Sequence, residues 1–322
     1  MIPRPDLTAI VVTHNGREMA LRTLRSALAA VGGIAVEWLV VDAGSSDGAP
    51  EAIERELGDR VRVLRCDNRG FAASNNVGLA RARGRYVLLL NPDVEIRSGT
   101  LAELVAAMDA RPELGMASVI QRGTDGELQD SIRRFPSPLR SLGEALFAAY
   151  WPVLRTWQEL ETRREGYRRE GLADWLVGAF LIARREAVGA VGPLDERFFL
   201  YSEEIDWCYR FWQAGWPVAH LPQMTITHHA GGRSRGDLMA QLSHSRLLFA
   251  AKHYGRGRRL GIRAALALGH AIRIAVFAPA SLLRPEQRER VRAERAGLRV
   301  VLGRAAPPLG PYSAGAQAPV PT

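Results

Sequence analysis

An α/β fold, with a mostly parallel sheet covered by helices on both faces, is predicted by three features of the sequence. Short, near-continuous runs of Val, Ile and Leu alternate with segments whose apolar residues recur at helical spacing, and the runs end in polar clusters. The 322 residues, 47% of them hydrophobic, are enough for one large domain or two modest ones, with a real core.

Leu7 to Thr13 is a β-branched run ended by His14-Asn15-Gly16, and Arg17 to Ala30 follows as a helix with Leu21, Leu24 and Leu28 on one face. Val36 to Asp42 reads as the second strand, Ala43 to Gly48 as a turn, Ala49 to Leu57 as a helix and Val61 to Cys66 as the third strand. Asn75 to Arg83 is predicted helical, and Gly84 breaks it before the most apolar strand so far, Tyr86 to Leu90. Gln121 to Arg169, rich in arginine and aromatics, predicts loops and amphipathic helices over a cleft. Regular structure resumes at Asp174 to Ile182, with helices near Arg184 to Val191 and from Glu203 to Gln213.

Past Ala240 the character shifts. Leu260 to Leu283 is apolar but interrupted by Arg263, His270, Arg273 and Pro279, so no uncharged run reaches the roughly 18 residues of a spanning helix. Residues 256–304 are therefore expected to form a C-terminal amphipathic, basic helical extension. It either lies on an anionic membrane surface or packs on the domain as a helical hairpin. The Pro/Gly/Ala-rich 305–322 reads as a disordered tail.

The formal charge of +9 comes from 43 basic and 34 acidic residues, and Lys252 is the only lysine. Arginine's planar fork suits phosphate and carboxylate, so the charge fits anionic substrates, lipid headgroups or nucleic acid. Cys66 and Cys208 have no CxxC spacing and cannot build a disulfide framework, which excludes zinc-finger and secreted-knot readings and fits a reducing compartment. Pro3 and Pro5 lead into an apolar run too short for an export signal, so the expected location is the cytoplasm.

In parallel sheets ligands bind beyond the carboxyl ends of the strands. Here those ends carry Thr13 and Asn15, then Asp42, then Asn68 and Gly70, then Asn91 and Asp93. Asp42 can accept hydrogen bonds from a ribose or a base, or serve only an Asx-turn, while Asp47 suits a helix cap. Asp93, fixed by Pro92 at the end of a buried strand, can hold a hard divalent cation against a diphosphate or merely shape a turn. In His228-His229 one imidazole could be a second ligand, with the following glycines and Ser234 around phosphate oxygens; a strand-end histidine pair is the plainer reading. Glu203, Glu204 and Asp206 fill the first turn of a helix entered through Phe198-Phe199-Leu200-Tyr201. That position suits capping, but adjacent acids beside bulky apolar residues also raise one pKa towards that of a general base.

Taken together, Val11 to Asn15, Val40 to Gly48, Asn68 to Ala72 with Asn75, Asn76 and Gly78, and Leu88 to Asp93 resemble glycosyltransferase family 2. So do Gly178-Ala179-Phe180, the Glu203 to Asp206 block and His229 to Ser234, and within that family the sequence is most similar to bacterial rhamnosyltransferases. The resemblance covers about residues 7 to 255. It implies a GT-A fold, Rossmann-like, over 1–255, with a nucleotide-sugar-binding half (1–120) and an acceptor-binding and catalytic half (121–255).

It further implies an inverting transfer from a nucleoside-diphosphate sugar with Mg²⁺ or Mn²⁺. Asp42 would sit by the nucleoside, Asp93 and His229 would hold the metal, and Glu204 would be the base, with Glu203 and Asp206 in reserve. Thr13, Asn15, Asn68, Gly70, Asn75, Asn91, Asp174, Trp175, Gly178, Arg233 and Ser234 would line the substrate site. Glu204 stands where the family usually has aspartate, His14 where tyrosine is common and Ala43 where asparagine is common.

The likeness favours dTDP-rhamnose, with UDP-hexoses next, and a glycan or lipid-linked acceptor at the inner face of the membrane. Two other classes compete. A sugar nucleotidylyltransferase would open with a basic glycine-rich loop, which Thr13-His14-Asn15-Gly16 is not. A basic membrane- or nucleic-acid-binding module needs no carboxylates at several strand ends, and no nucleic-acid partner is expected.

Overall fold

Strand β1 (Leu7–Thr13) is buried at every residue, because helices cover the sheet on both sides. The computed structural model of the protein describes residues 4–147, 156–229, 236–282 and 284–307. After β1 come α1 (Arg17–Ala29), β2 (Val36–Ala43), α2 (Ala49–Leu57), β3 (Arg62–Cys66), α3 (Phe71–Leu79) and β4 (Tyr86–Leu90). These build a parallel sheet in the order β3-β2-β1-β4, as near-continuous apolar strands joined by helical crossovers require. Helix α3 starts and ends earlier than the sequence predicts. It begins directly after Gly70, whose φ of +99° no other residue adopts at ease.

Beyond β4 the sheet becomes mixed. β5 (Val94–Ser98), α4 (Leu101–Asp109) and β6 (Met116–Arg122) are followed by the short β7 (Ile132–Arg133), α5 (Pro138–Ala145), β8 (Gly171–Leu172), β9 (Trp175–Leu176) and β10 (Phe180–Arg184). The run Asp174 to Ile182 is thus two strands, divided at Val177-Gly178-Ala179. Asn91 N donates to Ala179 O (2.9 Å), so β10 starts beside the carboxyl end of β4 and has to run back antiparallel to it. The mostly parallel expectation therefore holds for the first four strands. Further along, β10 is antiparallel to β6, and β11 (Val218–His228) is parallel to β6 but antiparallel to β5.

Side-chain alternation divides the core between the two faces. Leu7, Ala9 and Val11 pack with α1 and α4, while Ile10 and Val12 face the side that carries Trp207, Cys208 and Phe211 of α7 (Glu203–Gln213). Each fully buried leucine, such as Leu88, contributes about 2 kcal/mol. Helix α6 (Arg185–Val191) precedes α7, and the chain closes with α8 (Gly236–His253), α9 (Arg256–Ser281) and α10 (Pro285–Val301). Helices α9 and α10 pack on each other, on α8 and, through α9, on α5. By length and composition α9 could cross a membrane, with a window of mean hydropathy 1.5, although its interrupting arginines argued against that in the sequence. Most of the expected tail, 308–322, lies outside the described residues.

Candidate active site

Four buried oxygens without a partner among the described residues gather at the carboxyl edge of the parallel strands: Thr13 Oγ1, Asp42 Oδ1, Asn91 Oδ1 and Asp93 Oδ1. Thr13 and Asp42 are register partners on β1 and β2, and β4, which pairs with β1, leads into Asn91 and Asp93. A folded chain pairs nearly all its buried polar atoms, so such a row at a strand edge is the mark of a polar ligand's place. Asp42 Oδ2 is taken by Ser45 N (3.1 Å). Asp47 caps two helices, accepting from Arg17 N (2.9 Å) and Ala49 N (3.1 Å).

Other residues picked from the sequence brace this edge. Asn15, at φ +51°, takes a hydrogen bond from Ser46 N (2.7 Å) and gives its own N–H to Ser45 Oγ (2.9 Å). Asn68 closes an Asx-turn on Gly70 N, and Asn75 donates within α3 to Phe71 O. Asp174 accepts from Phe135 N (2.8 Å), and the buried Trp175 donates its indole N–H to Arg134 O (2.9 Å). Arg233 and Ser234 lie outside the described residues.

The histidine pair is divided. His228, at the end of β11, places Nε2 3.5 Å from Asp93 Oδ2, whereas His229 turns Nε2 to Glu95 Oε1 at 2.7 Å. Neighbouring residues of an extended chain point to opposite sides, so the pair cannot both face Asp93. The ring nearer the Asp93 carboxylate is thus that of His228, while His229, the ligand expected from the sequence, faces Glu95. His229 still meets Asp93 through the backbone, its N–H donating to Asp93 O (2.9 Å). Nδ1 of His228 bonds Gln129 Oε1 (3.2 Å), which turns Nε2 towards the Asp93 carboxylate, a pair of groups between which a cation could sit. Among the described residues no three His, Cys, Asp or Glu gather to hold a metal alone, so a cation here needs oxygens from a ligand as well. Hard divalent ions bound with phosphates have that pattern, so the residues fit Mg²⁺ or Mn²⁺.

Of the acids of α7, Glu204 comes closest to this edge. The loop before them is held in left-handed backbone at Tyr201 (φ +67°) and Ser202 (φ +66°). It is fastened from two sides, by Phe71 N donating to Phe199 O (2.8 Å) and by Ser245 Oγ of α8 donating to Leu200 O (2.8 Å). Glu204 then lies against Gly178, the residue before Ala179, and so one step from Asn91. Asp206 points elsewhere. It is buried and held by Lys252 (2.6 Å), His253 (2.7 Å) and Arg210 (2.9 Å), which leaves no free oxygen for a substrate proton.

A row of ligand-seeking oxygens with the buried Glu204 close beyond Gly178 suits a group-transfer enzyme, and sequence comparison decides which. The profile of Glycosyl transferase family 2 matches residues 8–192, over half of the chain. The chain belongs to glycosyl transferase family 2. Its relatives include the N-acetylglucosaminyl-diphospho-decaprenol L-rhamnosyltransferase of Mycobacterium tuberculosis, 29% identical over 79% of this chain and 87% of that one. The rhamnosyltransferase WbbL of Escherichia coli is 24% identical over 50% of this chain and 61% of that one. Among solved structures, the mannosyltransferase PcManGT of Pyrobaculum calidifontis, in complex with GDP-Man and Mn²⁺, superposes with a TM-score of 0.57 at 18% identity. The match covers 94% of this chain and 88% of that one, and supports the GT-A fold.

In this family 2 enzyme burial pushes the carboxyls of Glu203 and Glu204 above the ordinary glutamate range. Glu203, with the charge of Glu204 beside it, is raised furthest; backbone N–H groups, Arg133 and Arg246 draw Glu204 part of the way back. Arg246 of α8 is anchored by Glu144 (2.9 Å) and the fully buried Glu159 (3.0 Å). Sequence reading missed Arg246, Gln129 and Gln121, whose amide donates to Val177 O (3.2 Å) beside Gly178. Polar residues inside a helix, a strand or an irregular stretch carry no local signal of the partner they will meet.

Proposed function

We propose that this enzyme moves a rhamnosyl unit from dTDP-rhamnose, with inversion at the anomeric carbon, to a hydroxyl of a lipid-linked, diphosphate-bearing glycan at the inner face of the membrane. The observation that carries the reading is the meeting of Thr13, Asp42, Asn91 and Asp93 with Glu204 across the Asn91–Ala179 hydrogen bond and Gly178. The mycobacterial relative, an L-rhamnosyltransferase acting on N-acetylglucosaminyl-diphospho-decaprenol, supports the sugar and the acceptor class.

In this reading Thr13 and Asp42 take the nucleoside, and Arg233 and Ser234 meet the diphosphate. Asp93 and His228 hold Mg²⁺ or Mn²⁺, whose chemistry is to neutralise charge on the departing diphosphate. Glu204 Oε2, buried and without a partner, accepts the proton of the acceptor hydroxyl as that oxygen attacks the face opposite the leaving group. Asp206 has a supporting role only.

A transfer assay decides between donors. Purified protein is incubated with dTDP-rhamnose, UDP-N-acetylglucosamine or GDP-mannose and a short-chain prenyl-diphospho-N-acetylglucosamine acceptor, and product is followed by mass spectrometry. Transfer from dTDP-rhamnose is expected. Transfer from another donor alone overturns the donor assignment, and pyrophosphate exchange without transfer overturns the reaction class.

A further inference from the structure

The net charge of the chain is not spread over it. Residues 256–304 hold twelve arginines and three glutamates, a balance of +9 that equals the charge of the entire protein. The inner side of this extension is fully occupied. His270 bridges Glu294 (2.6 Å) and Ser243 (3.0 Å), and Arg273 joins Glu294 (2.9 Å), tying α9 and α10 to α8. Gly297 makes room for that contact, since a Cβ there would stand 2.5 Å from the His270 ring.

The outer side is different. Leu260, Ala264, Leu268, Ala271, Ala275 and Leu282 are exposed at spacings of four, four, three, four and seven, one continuous stripe along a helix about 39 Å long. Leu260, Leu268 and Leu282 keep 56, 42 and 75% of their surface in solvent. At each end of the stripe opens a cleft lined with arginine. One, of about 340 Å³, contains Arg256, Arg259 and Arg263, and the other, of about 370 Å³, contains Arg288, Arg292, Arg295 and Arg299. Apart from Arg288, which donates to Ser281 O and Leu282 O, none of these guanidinium groups has a partner among the described residues.

We infer that the outer face of the α9–α10 hairpin docks on a bilayer rich in acidic phospholipid, with the apolar stripe at the acyl boundary and lipid phosphates in the two arginine clefts. An exposed apolar stripe alone could await a protein. Unpaired arginines at both of its ends, on an extension whose charge balance equals that of the whole chain, match a plane of phosphates, and arginine stems bury while their heads stay at the headgroup level. The inference deepens the proposed function. Helix α8 holds both this hairpin and, through Ser245, the loop ahead of Glu203, so docking would bring the cleft to a lipid-borne acceptor.

Sedimentation of the full chain with vesicles of phosphatidylcholine, with and without phosphatidylglycerol, tests it. Binding only to the acidic vesicles, reversed by salt, is expected. Arg292→Gln/Arg295→Gln/Arg299→Gln should weaken partitioning by about tenfold or more, and Leu268→Glu should weaken it independently. Both variants should keep wild-type melting and wild-type transfer to a soluble short-chain acceptor. Equal binding to both vesicles overturns the inference, as does retention after salt and carbonate washes, which would mean a spanning helix. A dimer that Leu268→Glu dissociates, with no vesicle binding, assigns the face to a second copy and overturns it too. Failure of the transfer assay with vesicle binding intact removes the proposed function and leaves the surface standing.

Discussion

The Cβ that Gly178 lacks would stand 3.4 Å from the Cβ of Glu204 and 3.9 Å from its carboxyl carbon. Glycine here keeps open the space in which the acid stands. An alanine just fits at ordinary contact distance, whereas valine adds two methyl groups aimed at the carboxylate. We expect Gly178→Ala to keep most of its turnover and Gly178→Val to lose about tenfold or more, because a displacement near 1 Å at a reacting group is that costly. Steady-state kinetics and a melting curve check this; a Val variant with wild-type turnover would separate Gly178 from the chemistry.

Glu204→Gln removes the acceptor of the proton without changing size. Turnover should fall by roughly a hundredfold or more while nucleotide binding persists. Unchanged turnover would remove Glu204 from the role.

Its neighbour should behave differently. Glu203 is pushed well above the ordinary glutamate value of 4.5, first by burial and then by the charge of Glu204. Glutamine resembles the protonated acid, and Glu203→Gln should therefore keep most activity near neutrality. The sign for stability follows from proton counting. A carboxyl whose folded pKa is raised binds its proton more tightly when folded, and the resulting stability is lost as pH rises through the folded value. Glu203→Gln and wild type should melt alike in acid, with the variant gaining on wild type as pH climbs. Parallel melting curves across the range would show that Glu203 does not titrate in the folded state.

Much of this site was legible in the sequence because each strand end announces itself: an apolar run stops at a polar residue, and a parallel sheet brings successive stops to one edge. Asp42, Asn91 and Asp93 were found that way. What could not be read were the contacts made by distant segments. Gly70 looks like an ordinary loop glycine, yet a Cβ there would fall 2.4 Å from Phe199 O, at the loop that delivers Glu203 and Glu204. Nor does His228-His229 reveal which ring faces Asp93, since that depends on where β11 ends. Asp206 shows the opposite error. Its place in the acid block suggested chemistry, and only tertiary packing brings Lys252 and His253 onto it.

That packing gives Asp206 a structural prediction. Burial alone would raise its pKa, but the hydrogen bonds of His253 and Lys252, with the charges of Arg210 and Lys252, outweigh it and hold the carboxyl below its ordinary value of 3.8. Asp206→Asn leaves those cations without their counter-charge, at a cost of about 3–5 kcal/mol. The melting temperature should fall by roughly 10 °C. Because the folded pKa is depressed, the stability is present above 3.8 and fades as pH drops below it, so the gap between variant and wild type should close in acid. A full-sized gap persisting at low pH would mean that the ion pairs are not its source.

The last prediction separates the two histidines. In the geometry found here, Asp93 and His228 share the cleft side while His229 is engaged with Glu95. Asp93→Asn should weaken Mn²⁺-dependent dTDP binding by tenfold or more, since a carboxylate facing a divalent ion is replaced by a neutral amide. His228→Gln should weaken it in the same direction, and the residual dTDP affinity without metal should match wild type in both. His229→Gln is expected to change the melting temperature more than the metal dependence, because it releases Glu95 while the backbone N–H that holds Asp93 O stays in place. Titration calorimetry with and without Mn²⁺ distinguishes these cases. If only His229→Gln abolished the metal effect, the ring beside Asp93 in the ligand-bound enzyme would be the other one, reached by a turn of the chain after Thr227.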